Sequence, residues 1–265
     1  MRAAVAFVSH GSPMYALKPG QAGAALAQWA RSIDAAGETP SAVIMMSPHW
    51  MTPGISVTGA AQPATWHDFG GFAPELYELQ YPAAGHPQLA EAVQQLAIAV
   101  GLDVHIDTRR PFDHGAWVPM MHMWPEANIP MVQISLPITA APRSLMALGA
   151  ALVPLREQGV MVMGSGSMTH NLGDVFRSIQ VSADNQLPYV RPFANWIIDA
   201  LQKQDDEGLC DFERLAPNAA QAHPTTEHLL PLFFARGACM DSDTLKVLTQ
   251  EVQYAGLAMD SVAWS

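Results

Sequence analysis

Four short apolar runs, each cut off by Gly, Pro or Ser, constrain this chain most. Residues 3–8 (AAVAFV) run into Ser9-His10-Gly11-Ser12-Pro13, and residues 42–46 (AVIMM) into Ser47-Pro48-His49-Trp50. Residues 131–136 (MVQISL) stop at Pro137, and residues 160–163 (VMVM) enter Gly164-Ser165-Gly166-Ser167. Runs of this length and boundary predict strands buried on both faces. Residues 55–58 (ISVT) predict a further strand.

Helical patterns lie between these runs. Leu89, Val93, Leu96 and Val100 repeat at helical spacing within 87–100, and Leu145, Leu148, Leu152 and Leu155 do so within 143–156. Residues 190–202 and 227–236 also predict helices, whereas 205–224 reads as loop. Strands alternating with helices predict an α/β fold: a central, mostly parallel or mixed sheet covered by helices on both faces. At 265 residues, with no repeat or long linker, the expectation is a single catalytic domain over 1–265.

Composition excludes several functions. Lys and Arg total 13 against 24 acids, a net charge of −11, so there is no basic footprint for nucleic acid and no attraction to an anionic membrane. Only 14% of residues are charged, which points to extensive burial and to a homodimer. No apolar run is long enough to span a bilayer, and the N-terminal run is too short for a signal peptide. The two cysteines form no CxxC motif. A cytoplasmic protein is expected.

Ten histidines are the exceptional count. In open α/β sheets, ligands bind beyond the carboxyl ends of the strands. His10, His49 and His170 each follow a predicted strand, so they should face one crevice. His114 lies in an irregular stretch, Phe112-Asp113-His114-Gly115. His228 follows Thr225 and Thr226, which predict a helix cap and place Glu227 and His228 in a first turn. Scattered single ligands fit an open catalytic metal site rather than a structural zinc. His86, before Pro87, reads as a helix cap. His105, His122 and His223 read as structural or exposed, and the Arg109-Arg110 pair as solvated. The fifteen methionines read as core filling. Neither HExxH nor GxSxG occurs.

Taken in order, Ser9-His10-Gly11-Ser12-Pro13, Ser47-Pro48-His49-Trp50, His67-Asp68-Phe69-Gly70-Gly71-Phe72, Asp113-His114-Gly115, His170-Asn171-Leu172 and Glu227-His228-Leu229-Leu230-Pro231-Leu232 resemble the DOPA-dioxygenase-type branch of the class III extradiol ring-cleavage dioxygenases. The resemblance covers nearly the whole chain. It implies a mononuclear non-haem Fe(II) site that opens a catechol-type (DOPA-like) ring beside the diol, using O₂. It implies His10, His49 and His228 as metal ligands. His170 is implied as the acid/base, within reach of the metal as a fourth ligand when Zn(II) occupies the site. His114 is implied as a catalytic or substrate-contacting histidine. The adjacent Glu227 is the other candidate ligand; the EHxxPL pattern favours His228. The aromatic stretch from Trp66 to Phe72 is implied as a substrate loop, with His67, Phe69 and the more distant Trp50 touching substrate. The competing readings are a zinc-dependent hydrolase and a non-enzymatic metal-binding protein on the same scaffold.

Overall fold

The computed structural model describes residues 2–180 and 186–265. Eight strands form one mixed sheet: β1 (Val5–Ser9), β2 (Ala42–Thr52), β3 (Ile55–Thr58), β4 (Val104–Asp107), β5 (Met131–Pro137), β6 (Val160–Gly166), β7 (Leu245–Thr249) and, last in sequence, β10 (Ser261–Trp264). The short strands β8 (Val252–Gln253) and β9 (Leu257–Ala258) form a separate antiparallel pair. Strand order in the sheet is β4-β3-β5-β2-β6-β1-β10-β7. The inner strands β5, β2, β6 and β1 are parallel. Antiparallel pairing joins β3 to β5 on one side and β1 to β10 to β7 on the other.

The helices are α1 (Gly20–Ala35), α2 (Pro87–Ala99), α3 (His114–Met123), α4 (Pro142–Ala151), α5 (Val153–Arg156), α6 (Leu172–Gln180), α7 (Val190–Gln202), α8 (Asp206–Cys210), α9 (Phe212–Leu215), α10 (Ala219–Ala222) and α11 (Leu230–Gly237). Side-chain alternation assigns them to two layers. Phe7, Ile44, Met46 and Val162 point into a core shared with α2, α4, α7 and α11. Ala6, Val8, Val43, Met45, Met161 and Met163 point into a second core with α1 and α3. The sheet is therefore apolar on both faces, which is why its inner strands read as unbroken apolar runs. No helix among the described residues is long and apolar enough to cross a membrane.

Several boundaries differ from the sequence expectation. Strand β2 does not stop at Met46: it continues to Thr52, and its register with β5 slips between Ser47 and Met51. Residues 48–50 therefore bulge from that ladder, with Pro48, which has no N–H to donate, inside the bulge. Strand β6 continues through Gly164-Ser165-Gly166, so the expected flexible turn is buried strand. Glycine is required there by contact rather than by turning. A Cβ on Gly164 would collide with the Pro231 carbonyl, and one on Gly166 with the His228 carbonyl.

His114 is not in irregular chain but opens α3, capped by the Asp113 side chain. Helix α11 starts at Leu230, so Glu227 and His228 occupy the turn before it and neither threonine side chain caps it. The stretch 143–156 breaks into α4 and α5 at Leu152, ahead of Pro154. Residues 205–224 contain three short helices rather than loop. His86 does cap α2: its Nδ1 accepts from the Leu89 N–H at 3.2 Å.

Candidate active site

The parallel strands β2, β6 and β1 lie side by side, and their carboxyl ends present the site. His10 leaves β1 one residue after its end, its N–H donating to the Gly166 carbonyl at 2.9 Å. The β2 bulge carries His49. The turn holding His228 is laid against β6 by the Ser167 N–H, which donates to the His228 carbonyl at 2.9 Å. Ring centroids of His10, His49 and His228 stand 5.0, 5.5 and 5.2 Å apart, close to an equilateral triangle. His114 belongs to the same cluster, 5.4 Å from His10 and 4.0 Å from His49. Ligand atoms of His10, His49 and His114 come within 4.8 Å of one another, as do those of His170, Glu227 and His228.

The groups behind the rings show which nitrogen of each faces the cluster. Ser165 donates its single hydroxyl proton to the Gly115 carbonyl, so it must accept from His10 Nδ1, 2.9 Å away. His10 therefore carries its proton on Nδ1 and a lone pair on Nε2. Nδ1 of His49 faces Asp68 at 3.4 Å, and Nδ1 of His228 faces Glu227 at 3.0 Å. A carboxylate or hydroxyl behind each imidazole is the arrangement that orients metal-binding histidines. It leaves His10 Nε2, a lone pair, facing His49 Nε2 across 3.1 Å. Adjacent nitrogens on one ion, each about 2.0–2.1 Å from it and at right angles, stand about 3 Å apart. The residues present therefore fit a metal ion.

Electrostatics agree with that fit. Burial, then repulsion by the neighbouring histidines, pushes His10 and His228 well below the usual imidazole range. Burial brings His49 down to about 3, with His114 adding and Asp68 opposing. Burial raises the Asp68 carboxyl, but hydrogen bonding and charge from His114 outweigh it and leave Asp68 low. The ligand candidates are thus neutral and Asp68 is ionised, the forms that metal binding needs.

His170 stacks on His228, with ring centroids 3.5 Å apart and planes 9° from parallel. It is not carried by a flexible turn. Its N–H donates to the Ala222 carbonyl, and the Thr169 hydroxyl beside it donates to the Gly256 carbonyl at 2.8 Å. No described residue hydrogen-bonds its ring, and burial lowers it to about 4 against the pull of Glu227.

A cavity of about 620 Å³ opens over this cluster, bounded by His49, His114, His170, His228 and Asp68. Residues 69–72 of the aromatic stretch border it, Phe69 among them. His67 and Trp50 do not. His67 Nε2 faces the Leu79 carbonyl at 2.9 Å, and Trp50 is buried beneath Arg110, whose guanidinium lies 5.1 Å from the Trp50 ring and 4.4 Å from the Trp66 ring. Arg110 is therefore not a solvated cation: it also donates to the His49 carbonyl at 2.9 Å. His122 and His223 donate from Nε2 to the Tyr15 and Met168 carbonyls, as structural histidines do.

Sequence reasoning missed Asp68 and Ser165. Asp68 stood in the quoted aromatic stretch between two residues chosen for their rings. Its one signal was an acid next to a histidine in a glycine-rich loop. Nothing local distinguishes Ser165 from its neighbour Ser167.

Comparison with known proteins accords with this geometry. Residues 4–263 match the family described as the catalytic LigB subunit of aromatic ring-opening dioxygenase. The chain is similar to a Beta vulgaris protein named 4,5-DOPA dioxygenase extradiol, 37% identical over 91% of this chain and 89% of the relative. It is also similar to an Escherichia coli protein of the same name, 32% identical over 97% of this chain and 92% of the relative. A crystal structure of an uncharacterised Escherichia coli K12 protein superposes with a TM-score of 0.74 at 27% identity, covering 99% of each chain.

Proposed function

From the premise that this chain belongs to the LigB family and is an aromatic ring-opening dioxygenase, we propose that it opens a catechol-type ring on the extradiol side, inserting both atoms of O₂, with Fe(II) held by His10, His49 and His228. The observation that carries the metal is the facing pair of His10 and His49 Nε2 atoms, 3.1 Å apart, with Ser165 behind Nδ1 of His10 and Asp68 3.4 Å from Nδ1 of His49. The motif order assigns the third ligand to His228 rather than to His114. Glu227 stands behind His228 as its hydrogen-bond partner, as Asp68 stands behind His114, so the assignment rests on the motif order. When bound, Fe(II) supplies Lewis acidity toward the diol and redox chemistry toward O₂; Zn(II) fits the same nitrogens by affinity without that redox chemistry.

The protein's own groups divide the remaining work. His170 is neutral at pH 7 and has no other partner for its ring, so it takes a proton from a diol hydroxyl and later returns it. His114 has its proton directed to Asp68 from Nδ1, which leaves Nε2 as an acceptor at the cavity wall. Phe69 walls the ring against the histidine cluster, 5.5 Å from His114 between centroids. The family match over 4–263 supports one catalytic domain across residues 1–265.

The test is anaerobic reconstitution with Fe(II), followed by O₂ and a panel of catechols. The expected result is one O₂ consumed per ring opened, a yellow product, and no turnover with Zn(II). Alanine at His10, His49 or His228 abolishes Fe(II) binding, whereas His114→Ala retains it. Iron retained in His228→Ala and lost in His114→Ala would reassign the third ligand.

A further inference from the structure

The floor of the cavity is polar and its mouth is not. Helix α6 supplies one wall. Leu172, Val175, Phe176 and Ile179 fall at i, i+3, i+4 and i+7, one helix face, and all four border the cavity. Val175 is buried, but Leu172, Phe176 and Ile179 are 42%, 59% and 50% exposed. Three large apolar side chains left open to water on one short helix, continuous with an active-site cleft, mark a surface that a ligand covers. Phe72 and Leu257 extend the same apolar lining.

The charges around the cleft point the same way. No Lys or Arg borders the cavity among the described residues, and the sequence 181–185, VSADN, contains none. The arginines placed around the site have acidic partners: Arg110, behind His49, pairs with Asp113, Arg177 on α6 with Asp174, and Arg191 with Asp260. Among the described residues, Asp68 is the one carboxylate on the cavity wall. A substrate carboxylate lying along the α6 wall would lose its hydration and meet no Lys or Arg among the described residues.

We propose that the substrate is an uncharged catechol carrying an apolar substituent, whose diol meets the histidine cluster while the substituent lies along Leu172, Phe176 and Ile179. This rests on the ring-opening reading for the diol end; the substituent end stands on the α6 face and the absence of a cation. Phe176 is then a specificity-determining residue.

The experiment measures binding rather than turnover. Under nitrogen, dissociation constants are determined for 4-methylcatechol, 4-butylcatechol and 3-(3,4-dihydroxyphenyl)propanoate on the wild-type protein and on Phe176→Arg and Ile179→Arg. Both positions are about half exposed, and melting temperature checks folding. The wild type should bind 4-butylcatechol at least about tenfold more tightly than the carboxylate, and affinity should rise from methyl to butyl by up to about fourfold per methylene. Arginine at either position should narrow or invert the preference. Equal or tighter binding of the carboxylate by the wild type overturns the inference. So does an unchanged preference in both folded variants. A wild-type dimer abolished by Phe176→Arg, with the preference unchanged, would assign the face to a second copy and also overturn it. Selective binding without ring opening by the Fe(II)-loaded enzyme would instead remove the dioxygenase reading and leave the binding inference standing.

Discussion

Both carboxylate oxygens of Asp68 lie 3.0 Å from Nδ1 of His114, and one of them also accepts the His114 backbone N–H at 2.8 Å. The second oxygen faces Nδ1 of His49 at 3.4 Å. One carboxylate therefore orients two histidines of the cluster, one at the start of α3 and one in the β2 bulge.

Asp68→Ala should weaken metal binding about 10–100-fold, the usual effect of removing the acceptor behind a metal-binding imidazole. His49 would lose the carboxylate that faces its Nδ1. Metal titration of the purified variant reads the change, and circular dichroism should show the fold retained. Unaltered metal affinity would mean that Asp68 serves His114 alone.

His170→Gln should reduce single-turnover ring opening about 10²–10⁴-fold, the range for one acid/base group, while iron content stays at the wild-type level. Loss of iron in the same variant would make His170 a ligand instead. Full activity in an iron-loaded variant would end its assignment to proton transfer.

Gly166→Ala should destabilise the protein by about 1–3 kcal/mol, typical of forcing atoms into a packed site. The added methyl meets the His228 carbonyl, so relief requires moving the turn that carries His228. Metal affinity should therefore fall together with the urea midpoint. A variant that loses stability but binds metal normally would show that the strand yields rather than the turn.

Acid should destabilise the metal-free protein over a defined window. Burial lowers His170 and His223 to about 4 in the folded state, and it lowers His10, His49 and His228 as well. Above the unfolded value of about 6.5, folded and unfolded forms are both neutral and the stability is fully present. As pH falls from about 6.5 to about 4, the unfolded chain binds protons that the folded one refuses, so stability drops. Asp113 and Asp260, raised by burial, act in the opposite sense, but they are two groups against six, since burial lowers His122 as well. Melting temperature after chelation, followed from pH 7.5 to 4.5, should hold level down to about 6.5 and decline below it; a flat profile would contradict the burial of neutral imidazoles.

The sequence by itself determined the sheet's inner strands and the placing of histidines at their ends. Both signals are local: an apolar run is legible because β1, β2, β5 and β6 are buried on two faces, and His10 needs only to follow one of them. The ordered motifs carried the family for the same reason. What the tertiary structure decided was every relation between distant segments. His67 and Phe69 look equivalent in sequence, yet only Phe69 borders the cavity, because the Leu79 carbonyl holds His67 outside it. Gly164 and Gly166 read as a flexible turn; they are strand, because the chain around His228 and Pro231 lies directly against them and leaves no room for a Cβ. The free nitrogen of His10 depends on Ser165 and Gly115, residues 155 and 105 positions away. Periodicity records which face of an element is buried, whereas the direction of a lone pair is set by partners that only folding brings within hydrogen-bond reach.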